Sequence, residues 1–100
     1  MKKKTFASLN EFYTFYLEEH KEKRNRQLHF VGTSLFLSLI IIMLVTKNWL
    51  LFFALPIAGY GFAWFGHFFI EKNKPATFTY PIYSFICDFR MYFDMWRGKL

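Results

Sequence analysis

Cysteine occurs once, at Cys87, which excludes an internal disulfide and any metal site built on a pair of thiolates. Acid is scarce: seven Asp and Glu stand against 13 Lys and Arg, a formal charge of +6. Proline occurs three times and glycine five, with no cluster of either to mark a linker. There is no internal repeat and no low-complexity tract, so the chain is expected to form one membrane domain over residues 1–100. The most informative absence is of charge. Apart from Lys47, residues 28–70 carry none, and the basic residues lie before, between and after two apolar runs.

That distribution argues against nucleic acid as the partner of the positive charge. Basic residues flank hydrophobic runs instead of lining a helix, as lysine and arginine do beside a membrane, where they set topology and meet anionic headgroups. A cleaved signal peptide is not expected either. Lys2, Lys3 and Lys4 imitate its basic start, but mostly polar or amphipathic residues follow, and no small-residue cleavage site stands where one would be needed.

What is present is apolar and aromatic. The chain is 54% hydrophobic and 24% aromatic, with 15 phenylalanines in 100 residues, more apolar surface than so small a soluble domain can hide. The fold class expected is all-α: an integral membrane protein with two transmembrane helices in a hairpin, flanked by N- and C-terminal amphipathic helices. The spans are residues 28–46 and 49–70, each long enough for a hydrocarbon core of about 30 Å. Lys47-Asn48 is the turn between them. Pro56 is expected to kink the second span, and Gly59, Ala63 and Gly66 offer a small-residue face for helix packing.

The flanking helices are expected at about Ser8–His20 and from Tyr80-Pro81 to Trp96. Ser8 or Asn10 suits the first N-cap, and Phe6, Leu9, Tyr13, Tyr16, Leu17 and His20 fall on one side of it. On the last helix, Phe85, Tyr92, Met95 and Trp96 form the apolar face, and Asp88 projects among them; Arg90, Asp94 and Arg97 lie opposite. Seven basic residues precede the first span, one lies in the turn and five follow the second, so both termini are expected in the cytoplasm.

Histidine occurs three times. His29 lies 18 residues before Lys47 and His67 lies 19 after Asn48, which at about 1.5 Å per residue puts both at one depth on neighbouring helices. His20 approaches the same level from the first amphipathic helix, provided the chain bends around Lys21–Arg26. Asn25 shares a helical face with His29, and Glu71 with His67. Three imidazoles and a carboxylate at one depth suit non-haem iron or zinc. Interfacial histidines can equally bond only headgroups or water. Asp88, the one acid on the apolar face of its helix, is expected to orient a ligating histidine.

Two segments carry a resemblance. FYLEEHKEKRNRQLHFVGT (residues 15–33) and AWFGHFFIEKNKPATFTYPIYSFICDFRMY (residues 63–92) combine H-x4-N-x3-H with G-H-x3-E-x-N-x-P-A-T-F. In these the chain resembles the small membrane proteins related to the fungal 2-hydroxy-palmitic acid dioxygenase, formerly a domain of unknown function. The resemblance implies an Fe(II)-dependent dioxygenase of fatty-acid alpha-oxidation, with His20, His29 and His67 as ligands, Glu71 as a further one, and Asn25, Asn73 and Pro75 shaping the site. The substrate would be a 2-hydroxy fatty acid and the co-substrate molecular oxygen. Its tail would run between the spans, and Arg24, Arg26, Lys72 or Lys74 would hold its carboxylate. Alternatives are a non-catalytic lipid-binding or scaffold protein and a zinc-dependent lipid hydrolase; a small multidrug-type transporter fits poorly, since neither span has a charge near its midpoint. Membrane lipids are expected partners, and so is a second copy of the chain, because two spans bury little surface. The location expected is a bacterial inner membrane or the endoplasmic reticulum.

Overall fold

A computed structural model describes residues 5–100; Lys2, Lys3 and Lys4 lie outside the described residues. Helix α1 covers Leu9–Glu18. Ser8 is its N-cap: its Oγ accepts from the Glu11 N–H at 3.2 Å, and the Glu11 carboxylate accepts from the Ala7 N–H. Helix α2 runs over Lys23–Thr46, five residues longer at its start than its apolar pattern predicts. Between them residues 19–22 turn the chain back, which supplies the bend His20 needs.

Lys47 closes α2 in the left-handed conformation (φ 57°), and the return span begins at once. It changes helical type twice: a 3₁₀ turn over Trp49–Ala54, helix α3 over Leu55–Phe65, and a π-helical turn over Gly66–Glu71. Pro56 therefore starts the α-helical part instead of kinking it, because its ring is tolerated in a first turn where no N–H is needed. Both α2 and the run Trp49–Glu71 are long and apolar enough to cross a membrane. They close tightly where Gly32 meets α3: a Cβ there would come within 3.0 Å of the Ala58 carbonyl and 3.2 Å of the Gly59 carbonyl.

After a short 3₁₀ turn at Ala76–Phe78, helix α4 covers Pro81–Trp96, with Gly98 at φ 72° just beyond its end. The main cluster of buried apolar side chains lies outside the hairpin. Phe12, Tyr13, Tyr16, Ala76, Cys87 and Met91 form a buried cluster where α1 lies on α4 and the preceding turn. Two sequence-based faces shift accordingly. Phe12, left off the α1 face, is fully buried. On α4 the buried stripe is Ser84, Cys87 and Met91 together with Tyr92, whereas Phe85 and Trp96 are exposed. The reason is that α4 is gripped from two sides. It packs on α1, and it reaches α2 through Tyr92, which stacks on Phe30 and hydrogen-bonds Ser34 at 2.9 Å.

Candidate metal centre

Three elements each deliver one imidazole to one point. His20 comes from the turn that follows α1, His29 from the second turn of α2, and His67 from the π-helical turn, a local widening frequent at functional sites. All three are buried. The Nε2 of His20 lies 3.1 Å from that of His29 and 2.9 Å from that of His67, and one ligand atom from each ring lies within 4.8 Å of the others. This is a group that could hold a metal ion.

The opposite ring atoms decide what the convergent ones offer. Nδ1 of His20 is 2.6 Å from the Tyr16 carbonyl, Nδ1 of His29 is 2.9 Å from the Asn25 carbonyl, and Nδ1 of His67 is 2.7 Å from Asn73 Oδ1. These oxygens only accept, so each Nδ1 is the N–H donor and each Nε2 of a neutral ring keeps its lone pair. The Asn73 amide is oriented independently: its Nδ2 donates to the Glu19 carbonyl and carboxylate at 3.0 and 2.9 Å. Three lone pairs aimed at one another repel, and a cation among them removes the conflict. Protonation is a poor substitute, because burial, with His29 and His67 alongside, holds His20 well below the usual imidazole range. The donor set fits a metal that accepts three imidazoles.

Of the residues expected here, Asn25 and Asn73 are joined to the imidazoles as described. Glu71 is placed elsewhere. Its Oε2 accepts from the Glu22 N–H at 2.9 Å and from Asn25 Nδ2 at 3.1 Å. The start of α2 lacks a capping side chain of its own, and the carboxylate supplies acceptor and charge at that positive end. Asp88 also differs from expectation: its Oδ1 accepts from the Tyr16 hydroxyl, not from an imidazole. Tyr16 in turn stacks on His20 with ring centroids 3.9 Å apart, so Asp88 reaches the cluster through Tyr16. Burial pushes the Asp88 carboxyl up to about 7 against the pull of the Tyr16 hydrogen bond.

The four cations expected to hold a carboxylate are not at the imidazoles. Arg26 donates to the His20 and Leu17 carbonyls at 2.5 and 3.4 Å, closing the free end of α1, while Arg24, Lys72 and Lys74 are exposed. Two small cavities adjoin the imidazoles instead. One of about 10 Å³ touches all three together with Tyr16, Ser84 and Asp88; one of about 40 Å³ runs from His29 between α2, α3 and α4. Tyr16 and Ser84 were missed as site residues. The i, i+4 spacing of Tyr16 and His20 was the available signal for the first; nothing in the sequence distinguished Ser84.

A protein-family model described as 2-hydroxy-palmitic acid dioxygenase Mpo1-like matches residues 6–100. No curated protein and no solved structure matches the chain significantly.

Proposed function

Because the chain belongs to the 2-hydroxy-palmitic acid dioxygenase Mpo1-like family, we propose that it is an iron-dependent membrane dioxygenase that shortens 2-hydroxy fatty acids by one carbon. The observation that carries this reading is the convergence of three Nε2 lone pairs, each fixed from behind by an oxygen acceptor. His20, His29 and His67 would hold the ion. Bound there, ferrous iron supplies the redox chemistry with molecular oxygen that side chains lack. The reaction balances with one dioxygen consumed and the shortened acid, carbon dioxide and water released.

The chain's own residues supply position and enclosure. Asn73, with the Tyr16 and Asn25 carbonyls, sets the rotation and tautomer of each ring. The lid formed by α1 on α4 buries Tyr16 and His20 and keeps water from the reacting end. The surrounding membrane is part of the reading. Val45, Leu50 and Ile57 are about three-quarters exposed, a surface suited to acyl chains and not to water. Basic residues at the open end of the two spans favour a cytoplasmic side for both termini, in a bacterial inner membrane or the endoplasmic reticulum. The imidazoles would then stand at headgroup depth, where a fatty acid's polar end lies.

Protein purified anaerobically without chelator is expected to contain about one iron per chain. With oxygen it is expected to convert 2-hydroxypalmitate to the 15-carbon acid. Tight binding of another metal, with no oxygen consumed on any 2-hydroxy acid, would overturn the dioxygenase.

A further inference from the structure

Ser84 is 1% exposed, and its Oγ has no hydrogen-bond partner among the described residues. A buried hydroxyl left unpaired costs stability, so its place in the fold calls for a reason. It borders the 10 Å³ cavity beside the three imidazoles, a space for about one water or one ligand oxygen. That cavity and the larger one share His29, Tyr60, Ala63 and Asp88 in their walls, and so adjoin along one track. The polar groups stand at its imidazole end. Beyond them the walls turn apolar: Phe36, Leu55, Gly59 and Phe89.

The track is short. From His29 through Thr33 to Phe36 it descends roughly 10 Å along α2. Its 40 Å³ admit about three waters, hence only a few carbons. Phe85, which lines it, is 45% exposed, so the track reaches the protein surface. Among the described residues, no cationic side chain lines either cavity.

We infer that Ser84 receives an oxygen of the substrate's hydroxy-carboxylate head, that the cleft between α2, α3 and α4 encloses only the first few carbons, and that the rest of the chain stays in lipid. This rests on the dioxygenase reading for the identity of the substrate. It departs from a carboxylate held by arginine or lysine, and it makes selectivity local. Branching near the head decides acceptance, and total chain length does not. Ser84 and Gly59 are the specificity-determining positions, one at each end.

The test is photo-crosslinking to the full chain in lipid vesicles, loaded with ferrous iron and kept anaerobic so that binding occurs without reaction. Two 2-hydroxypalmitate probes are used, with a diazirine at carbon 4 or at carbon 15. The carbon-4 probe is expected to label the wall at Thr33, Gly59 or Phe89, and the carbon-15 probe lipid and outward residues only. Ser84→Ala is expected to weaken competition by unlabelled 2-hydroxypalmitate about tenfold. Its melting temperature should be unchanged or higher, because the variant removes an unpaired buried hydroxyl, and a purely structural serine would not give that split. Gly59→Ala, whose added Cβ makes only ordinary contact with Phe36 at 3.4 Å, is expected to fold and to reduce carbon-4 labelling. Labelling of the inner wall by the carbon-15 probe would overturn the track, and unweakened competition in Ser84→Ala would overturn the role of Ser84. Correct labelling with no turnover after oxygen is admitted would sustain the track and defeat the dioxygenase reading.

Discussion

Each imidazole of the cluster is turned by an acceptor of different origin: a carbonyl four residues earlier in α1, a carbonyl four residues earlier in α2, and a side-chain amide six residues later. The amide alone can be removed without touching the backbone. Asn73→Ala is expected to lower metal affinity about 10- to 100-fold, measured by competition with a chelator. His29→Ala or His67→Ala is expected to abolish bound metal, read by elemental analysis, since each deletes a buried donor. A metal content unchanged in either histidine variant would remove that residue from the centre. Away from the cluster, the Tyr13 hydroxyl donates to Asp94 Oδ2 at 2.7 Å, and with Arg97 beside it holds the Asp94 carboxyl below its usual range. A lowered folded pKa means that the unfolded chain takes up the proton first. The stabilisation is complete above the ordinary carboxylate value of about 4 and fades as pH falls through the folded value. Tyr13→Phe is expected to cost about 1–2 kcal/mol at neutral pH and to flatten the loss of stability as pH falls below about 4, measured by thermal unfolding on either side of that value.

At the scale of elements, the cluster depends on how closely the turn bearing His67 approaches the start of α2. Gly66 makes that approach possible: a Cβ there would collide with the side chain of Asn25, the residue whose backbone carbonyl orients His29. Gly66→Ala is therefore expected to destabilise by about 1–3 kcal/mol and to weaken metal binding with it. At Gly61, one and a half turns earlier, an added Cβ would meet nothing within 4 Å, and Gly61→Ala is expected to leave both unchanged. Equal losses from the two substitutions, in unfolding and in metal titration, would show that the contact with Asn25 is not responsible. Glu71 acts on the same joint from the other side, tying the π-helical turn to the Glu22 N–H at the head of α2.

At the scale of the whole molecule, the hairpin brings α1 and the chain beyond α4 to the side that carries the imidazoles. Single cysteines introduced at Ser8 and Lys99 are expected to react with an impermeant maleimide only after vesicles with the native cytoplasmic side inward are opened. Native Cys87 does not interfere: it is fully buried, and burial pushes its thiol up to about 11. Labelling of either position in sealed vesicles would overturn the shared cytoplasmic placement. The same architecture explains why the buried aromatic core sits beside the spans and not between them. The two spans meet at the close approach of Gly32 and touch α4 along one side through Tyr92, while α1 and α4 must hide Phe12 and Met91 against each other.

Much of this was legible along the chain. Two uncharged runs separated by Lys47-Asn48 dictate a hairpin, and counting residues from its turn places His29 and His67 at one depth, because helical rise is nearly constant. The need for a bend between His20 and His29 follows from their spacing alone. What the sequence could not determine is where the long polar side chains end. Glu71 as a ligand, Arg26 as a carboxylate anchor and Asp88 as the partner of a ligating histidine are each plausible along the chain, and tertiary packing places them instead at the head of α2, the end of α1 and Tyr16. These are competitions for hydrogen-bond donors and acceptors across elements distant in sequence, and such partners exist only once the elements have docked. Helix periodicity likewise counts one face per helix, whereas α4 is gripped on two, so its buried stripe of Ser84, Cys87 and Met91 emerged only from the packing of α1 and α2 around it.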